Sequence, residues 1–172
     1  MSAVPETASE PLRRVREILA DKPGAMVEQV AREAGVSALT VLRALPAGDV
    51  TELPGERFED VWKELASWGE ILFLIHNQDL VLEVEGRLPV GSFGHGYYNI
   101  HGDSPIGGHL RAENCKAICL VDRAASTRRA CSVQFFNGAG ETMFKVFVRR
   151  DEARQMRADQ LARFEALKAN GI

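Results

Sequence analysis

No stretch of this sequence approaches the roughly 18 consecutive apolar residues that a membrane-spanning helix needs. Its opening, MSAVPETASEPLRR, has no apolar run behind a basic start of the kind that directs secretion. We therefore expect a soluble, cytoplasmic chain with no membrane insertion. The phosphate and nucleophile motifs are also missing: there is no GxGxxG turn, Walker loop, GxSxG elbow or paired acid motif, so phosphoryl transfer and nucleophilic hydrolysis find no support. Cysteine is scarce. Cys115, Cys119 and Cys131 make an odd set without a CxxC pair, and Cys115 and Cys119 stand at even spacing in an apolar run, which reads them as small buried hydrophobes. A formal net charge of −3, with both signs spread along the chain, supplies neither a basic field for nucleic acid nor a polybasic stretch for lipid.

What is present suits one compact domain over residues 1–172, since 45% hydrophobic residues can build a real core at this length. Residues 10–45 read as a helical N-terminal subdomain: Leu12, Val15, Ile18 and Leu19 share a face, a second helix over about 25–34 ends at Gly35, and Ser37 caps a third that runs to about Leu45. After a Pro/Gly-punctuated connection, a helix over 56–68 puts Phe58, Val61, Trp62 and Leu65 on one face. Strand-like segments then follow over 71–76, 80–86, 92–102, 107–113, 116–123, 129–136 and 141–148, with Asn77-Gln78-Asp79 and Asn137-Gly138-Ala139-Gly140 as hairpin turns. A closing helix over 151–169 begins with Asp151 and Glu152, which suit the positive end of a helix dipole. The fold class is α+β: a mostly antiparallel sheet over 70–148, flanked by N-terminal helices and a C-terminal helix.

The stretch VEQVAREAGVSALTVLRAL, residues 27–45, has the outline of a DNA-binding helix-turn-helix bent at Gly35. Its second helix would offer only Thr40 and Arg43 to bases or phosphates. Residues 24–46 balance Arg32 and Arg43 against Glu28 and Glu33, too little positive charge for an affinity that rests on phosphate neutralisation. A helical hairpin packed on the sheet is the preferred reading.

Four histidines carry most of the remaining chemical potential. His76 shares a strand face with Leu72 and Leu74 and needs a polar partner from elsewhere. His109 follows Gly107 and Gly108, which leave room for a flat ligand against the backbone. Read as one strand, residues 92–102 put His95, Tyr97 and His101 on one face, with Gly94, Gly96 and Tyr98 on the other. Zinc is the obvious competitor for such a set, but no HxxxH or HxH spacing supports it.

Several longer segments stand in a fixed order: PGERFEDVWKELASWGEILFLIH at 54–76, GHGYYNIHG at 94–102, GGHLRAENCKAICLVDR at 107–123, VQFFNGAGETMFKVFV at 133–148 and RRDEARQ at 149–155. Through them the chain resembles the HutX/ChuX-type intracellular haem-utilisation proteins over nearly its whole length. The resemblance implies a homodimer, each chain like one half of the larger two-repeat haem-processing proteins, with haem in a cleft on the sheet. It makes His76 and His109 the candidate haem-iron ligands and places His95 and Tyr97 in or near the pocket. Tyr98 stands where the family usually has Phe, which adds a second phenol as a possible iron ligand. Phe93, Tyr97 and Ile100 would bed the ring, and Arg111 would meet a propionate. Without a CxxCH signature the haem would be held non-covalently. The function implied is that of a carrier that accepts imported haem and passes it to a downstream acceptor protein. A haem-degrading enzyme is the main alternative, although neither a flavin nor a nicotinamide motif is present to supply electrons. A DNA-binding regulator using residues 27–45 is the other.

Overall fold

Glycine and serine punctuate the first helices as their chemistry dictates. The computed structural model describes residues 9–125 and 127–171, so the opening at 1–8, expected to hold no secretion signal, lies outside the described residues. Helix α1 (Ser9–Asp21) is followed by α2 (Val27–Ala34), which Gly35 closes at φ 68, a left-handed conformation open to glycine without strain. Ser37 then starts α3 (Ala38–Arg43) by accepting a hydrogen bond from the Thr40 amide at 3.2 Å. The apolar sides of these helices, among them Val15, Val30, Leu39 and Leu42, pack on Ala117, Cys119, Val121 and Phe136 of the sheet. The segment that resembled a recognition helix is therefore turned inward, and its Arg43 is paired with Glu52.

That sheet has six strands in the order β1-β7-β8-β9-β2-β3, every neighbour antiparallel. The strands are β1 (Val50–Pro54), β2 (Glu70–His76), β3 (Val81–Arg87), β7 (Ala117–Ala125), β8 (Arg128–Phe136) and β9 (Thr142–Phe147). Both expected hairpins form, and in each an asparagine side chain replaces the missing ladder partners. The Asn77 Oδ1 accepts from the amides of Asp79 and Leu80, and the Asn137 Oδ1 from those of Ala139 and Glu141. Strand β1 falls where an irregular connection was expected.

The opposite face of the sheet carries the larger core. Along β7 the side chains alternate: Ala117, Cys119 and Val121 meet the N-terminal helices, while Ile118 and Leu120 point the other way, with Val133, Phe135, Phe144 and Val146. Helix α4 (Phe58–Ala66), entered through a 3-10 turn at Gly55–Arg57, lies on this face and is shorter than the 56–68 expected. Phe58 and Trp62 link it to the sheet through Phe135 and Phe144, and on its other side to Tyr98. Tyr98 belongs to a second sheet of three antiparallel strands, β4 (Ser92–Gly94), β5 (Tyr97–Ile100) and β6 (Gly108–Leu110).

Two expectations are corrected. Residues 92–102 do not form one strand: His95 and Gly96, at φ 53 and 80, make a two-residue turn that folds β4 back on β5. Positive φ at both central positions is the backbone of the hairpin turn whose twist matches its strands. The last helix, α5 (Ala158–Asn170), starts seven residues later than Asp151. Asp151 instead organises a local turn, its Oδ1 accepting from the Gln155 amide at 3.0 Å and its carbonyl from the Arg154 amide at 2.9 Å.

An ion pair ties this C-terminal helix to the sheet. Asp122 of β7 receives two hydrogen bonds from the Arg129 guanidinium, at 2.7 and 2.8 Å, and lies 3.4 Å from the Lys168 ammonium of α5. The Arg129 hydrogen bonds outweigh the effect of burial and bring the Asp122 carboxyl down from 3.8 to about 2. A depressed carboxylate contributes its stability above the unfolded value and loses it as pH falls through the folded one. Asp122→Asn should therefore cost about 1–2 kcal/mol at neutral pH, given that Arg129 is half exposed and partly screened. Urea titrations should show this difference shrink between pH 3.8 and about 2. An equal deficit at both ends of that range would remove the ion pair as its cause.

Candidate functional site

Strand alternation sorts the three-stranded sheet into a core face and an open face. Tyr98 and Ile100 of β5 are buried toward α4, so Ile100 is part of the core and not of a ligand bed. Tyr97 and Asn99 point outward, and Asn99 stands opposite His109 in the β5–β6 register. Arg111 completes the row: it donates to the Tyr97 hydroxyl at 2.9 Å, with its guanidinium carbon 4.7 Å from that ring's centre. The His109 ring lies 5.8 Å from the Tyr97 ring and 6.4 Å from that of His101, which follows the end of β5. One exposed face thus gathers a phenol, two imidazoles and a guanidinium.

Its surroundings are bare. A Cβ placed on Gly94 would meet only the Asn99 amide nitrogen at 3.5 Å, and one on Gly96 would meet nothing within 4 Å. A hollow of about 150 Å³ opens beside them, bordered by Phe93, Tyr97 and Ala112. Phe93 is 58% exposed, but it stands opposite Tyr98 in the β4–β5 register with its ring 5.0 Å from the Tyr98 ring, so it belongs to the Tyr98 face and not to the face of Tyr97 and His109. His95, at the tip of the β4–β5 turn, is exposed and does not share the Tyr97 face as a single strand would have required.

His76 lies elsewhere. It extends from β2 with Leu72 and Leu74, on the side of the large sheet that holds the N-terminal helices. The external partner it needed is Glu28 of α2, whose carboxylate is 3.6 Å from the His76 Nδ1. Glu28 also pairs with Lys145 of β9. Burial pushes the Glu28 carboxyl up, but the Lys145 ammonium, a backbone hydrogen bond and His76 together more than reverse this and leave it below the ordinary range. A cleft of about 750 Å³ opens here, and its charged groups are Glu28, Arg32, Asp79 and Glu141. Because the large sheet and its aromatic core separate the two positions, one chain does not bring His76 and His109 to the same iron.

All three cysteines are buried. Burial pushes the Cys115 thiol up to about 11 and those of Cys119 and Cys131 up to about 12, so none is a thiolate nucleophile at neutral pH. Cys115 sits in the turn before β7, and so faces a different core from Cys119 despite the even spacing. Among the described residues no three His, Cys, Asp or Glu side chains converge as a metal site.

The haem utilisation ChuX/HutX family profile matches residues 51–167. The chain belongs to this family. The match contains the entire three-stranded sheet and leaves α1–α3 outside. The intracellular heme transport protein HutX of Vibrio cholerae is 29% identical over 157 residues, which are 91% of this chain and 81% of HutX. Protein AGR_C_4470 from Agrobacterium tumefaciens superposes with a TM-score of 0.90 at 45% identity, covering 98% of this chain and 96% of its own. The heme binding protein ChuX does so at 0.82 and 37%, covering 90% and 97%. A likeness of fold alone extends to holo-PhuS from Pseudomonas aeruginosa, at 16% identity and TM-score 0.71, where 96% of this chain covers 48% of that one. The ChuX/HutX fold is thus one half of that larger architecture, as the sequence resemblance implied.

Of the open face, Asn99 was not singled out from the sequence, and His101 was named only for sharing the Tyr97 face. Asn99 and His101 follow Tyr97 at intervals of two, the period of a strand face, and that spacing was the signal available.

Proposed function

We propose that the chain is a cytoplasmic haem carrier, that its 172 residues act as one haem-utilisation domain, and that the open face of the three-stranded sheet is where haem is held. The observation that carries this reading is the convergence of His109, Tyr97 and Arg111 on one bare, exposed face. An imidazole nitrogen suits ferric iron, the Tyr97 phenol beside it offers an oxygen as a second donor, and Arg111 offers a cation to a propionate. With no CxxCH signature and no ionised thiol, the haem is held without a covalent bond. HutX, named as an intracellular heme transport protein, and ChuX, named as heme binding, support the same cargo.

The large cleft beside His76 favours a second reading by its volume alone. Its chemistry does not suit haem. With Glu28 already paired with Lys145, Asp79 and Glu141 still stand against the single guanidinium of Arg32, and no Phe, Tyr or Trp lines the cleft to bed a porphyrin.

A carrier must also release its load, and an exposed face lets an acceptor protein reach the iron. We propose a homodimer as the working unit, in which a second copy covers exposed apolar side chains such as Leu80, just before β3, and Val81 and Leu82 at its start. Ferric haem added to the protein should give a shifted Soret band, apo-myoglobin should withdraw the haem, and aerobic incubation with ascorbate should leave the porphyrin largely intact. A ring-opened product would make the protein a degrading enzyme. Light scattering that gives a monomer at micromolar concentration, with haem that no acceptor can extract, would defeat the carrier reading.

A further inference from the structure

The Asn99 carboxamide is held in one orientation by groups that leave it no choice. Its Nδ2 lies 3.2 Å from the Ser92 carbonyl oxygen and 3.1 Å from that of Gly94. Carbonyl oxygens only accept, so the amide nitrogen must face them. The Oδ1 is thereby turned toward the His109 Nδ1, at 2.7 Å. An amide oxygen also only accepts, and the proton of this hydrogen bond must therefore sit on the imidazole.

We propose that Asn99 is a positioning residue that fixes His109 in its Nδ1–H tautomer and leaves Nε2 as the free lone pair. This rests on the reading of His109 as the haem-iron ligand. It adds how that ligand is prepared before haem arrives. Neutral histidine in water favours the opposite tautomer, which would present an N–H to the iron in place of a lone pair. The side chain that sets one ring nitrogen determines what the other can do. The β4–β5 hairpin is then part of the ligand's support, because its two carbonyls hold the amide that holds the ring.

The test begins on haem-free protein labelled with ¹⁵N-histidine, at about pH 8, where ordinary histidines are neutral. The His109 signals are identified by their loss in His109→Gln. Long-range ¹H–¹⁵N correlation should show the proton on Nδ1 in the native chain, and a shift of population toward Nε2–H in Asn99→Leu. A native His109 that carries its proton on Nε2 overturns the proposal without any variant, and so does an unchanged tautomer in a folded Asn99→Leu. Haem titration is the separate second arm: loss of such a supporting partner should weaken binding by about 10–100-fold in Asn99→Leu. If the tautomer moves but the affinity does not, Asn99 sets the ring as stated and His109 is not the ligand, so the two readings fail distinguishably.

Discussion

His109→Ala is expected to weaken ferric haem binding by at least about a hundredfold, the upper range for losing a mere supporting partner of a metal ligand. His76→Ala should leave the affinity within about twofold. The contrast follows from where the two rings stand. His109 is exposed among Tyr97, Arg111 and a stretch without side chains, whereas His76 is occupied by Glu28 in a cleft rich in carboxylates. Soret titrations of both variants, with Tyr97→Phe as a third, read the outcome directly. Should His76→Ala abolish the band while His109→Ala retains it, the haem belongs in the cleft under the N-terminal helices. Should only Tyr97→Phe remove it, the phenol is the ligand and the imidazole its neighbour.

The second large effect lies behind the open face of the three-stranded sheet. Trp62 is fully buried between the sheets, edge-on to Tyr98 at 5.5 Å and to Phe144 at 5.7 Å, and its indole N–H donates to the Pro89 carbonyl at 2.8 Å. Trp62→Ala should therefore cost about 3–5 kcal/mol, from lost burial and the cavity that remains. Trp62→Phe keeps most of the contact but strands the Pro89 carbonyl, which should limit its cost to about 1–3 kcal/mol. Denaturant unfolding followed by far-ultraviolet circular dichroism measures both. A loss below about 1 kcal/mol for the alanine variant would mean that the layers close over the gap, against the rigid packing described.

Local chemistry explains which parts of the fold could be read in advance. Gly35 and Ser37 act through their own backbone and the next few residues, and both helix boundaries fell where they were expected. The asparagine hairpins are local in the same sense. Strand β1 escaped notice because Val50–Pro54 has no clear alternation and ends in proline. It is a strand only because β7 offers it an edge. At 92–102 the period-two pattern was real, but it ran through His95-Gly96, where glycine allows a reversal that the pattern alone does not reveal. The Asp151 start was misread because an aspartate serves a helix dipole and a local turn equally well, and the turn formed.

The site was legible to a similar depth. His109 was marked by the two glycines before it, whereas Tyr97 and Arg111 entered through the family resemblance, and the structure places the three on one face. That His76 and His109 face apart could not be seen, since alternation assigns a side chain to a face of its own strand and says nothing of which sheet the strand joins. Asn99 was missed for a different reason. An asparagine in a strand has no distinctive pattern until the carbonyls that hold it are brought near by a turn.

The large sheet presents unlike cores on its two sides. Toward the N-terminal helices it offers mainly small aliphatic side chains, with the Glu28–Lys145 pair at one margin, whereas the other side is a continuous aromatic stack that runs through α4 into the three-stranded sheet. Opening the first side exposes less apolar surface than opening the second, so the two have different free energies of local unfolding. The helical layer can breathe, and exchange its amide protons, without any disturbance of Tyr98 or of the strand that carries Tyr97 and Asn99. Local opening is thereby favoured at the back of the molecule, away from the face that carries Tyr97 and His109.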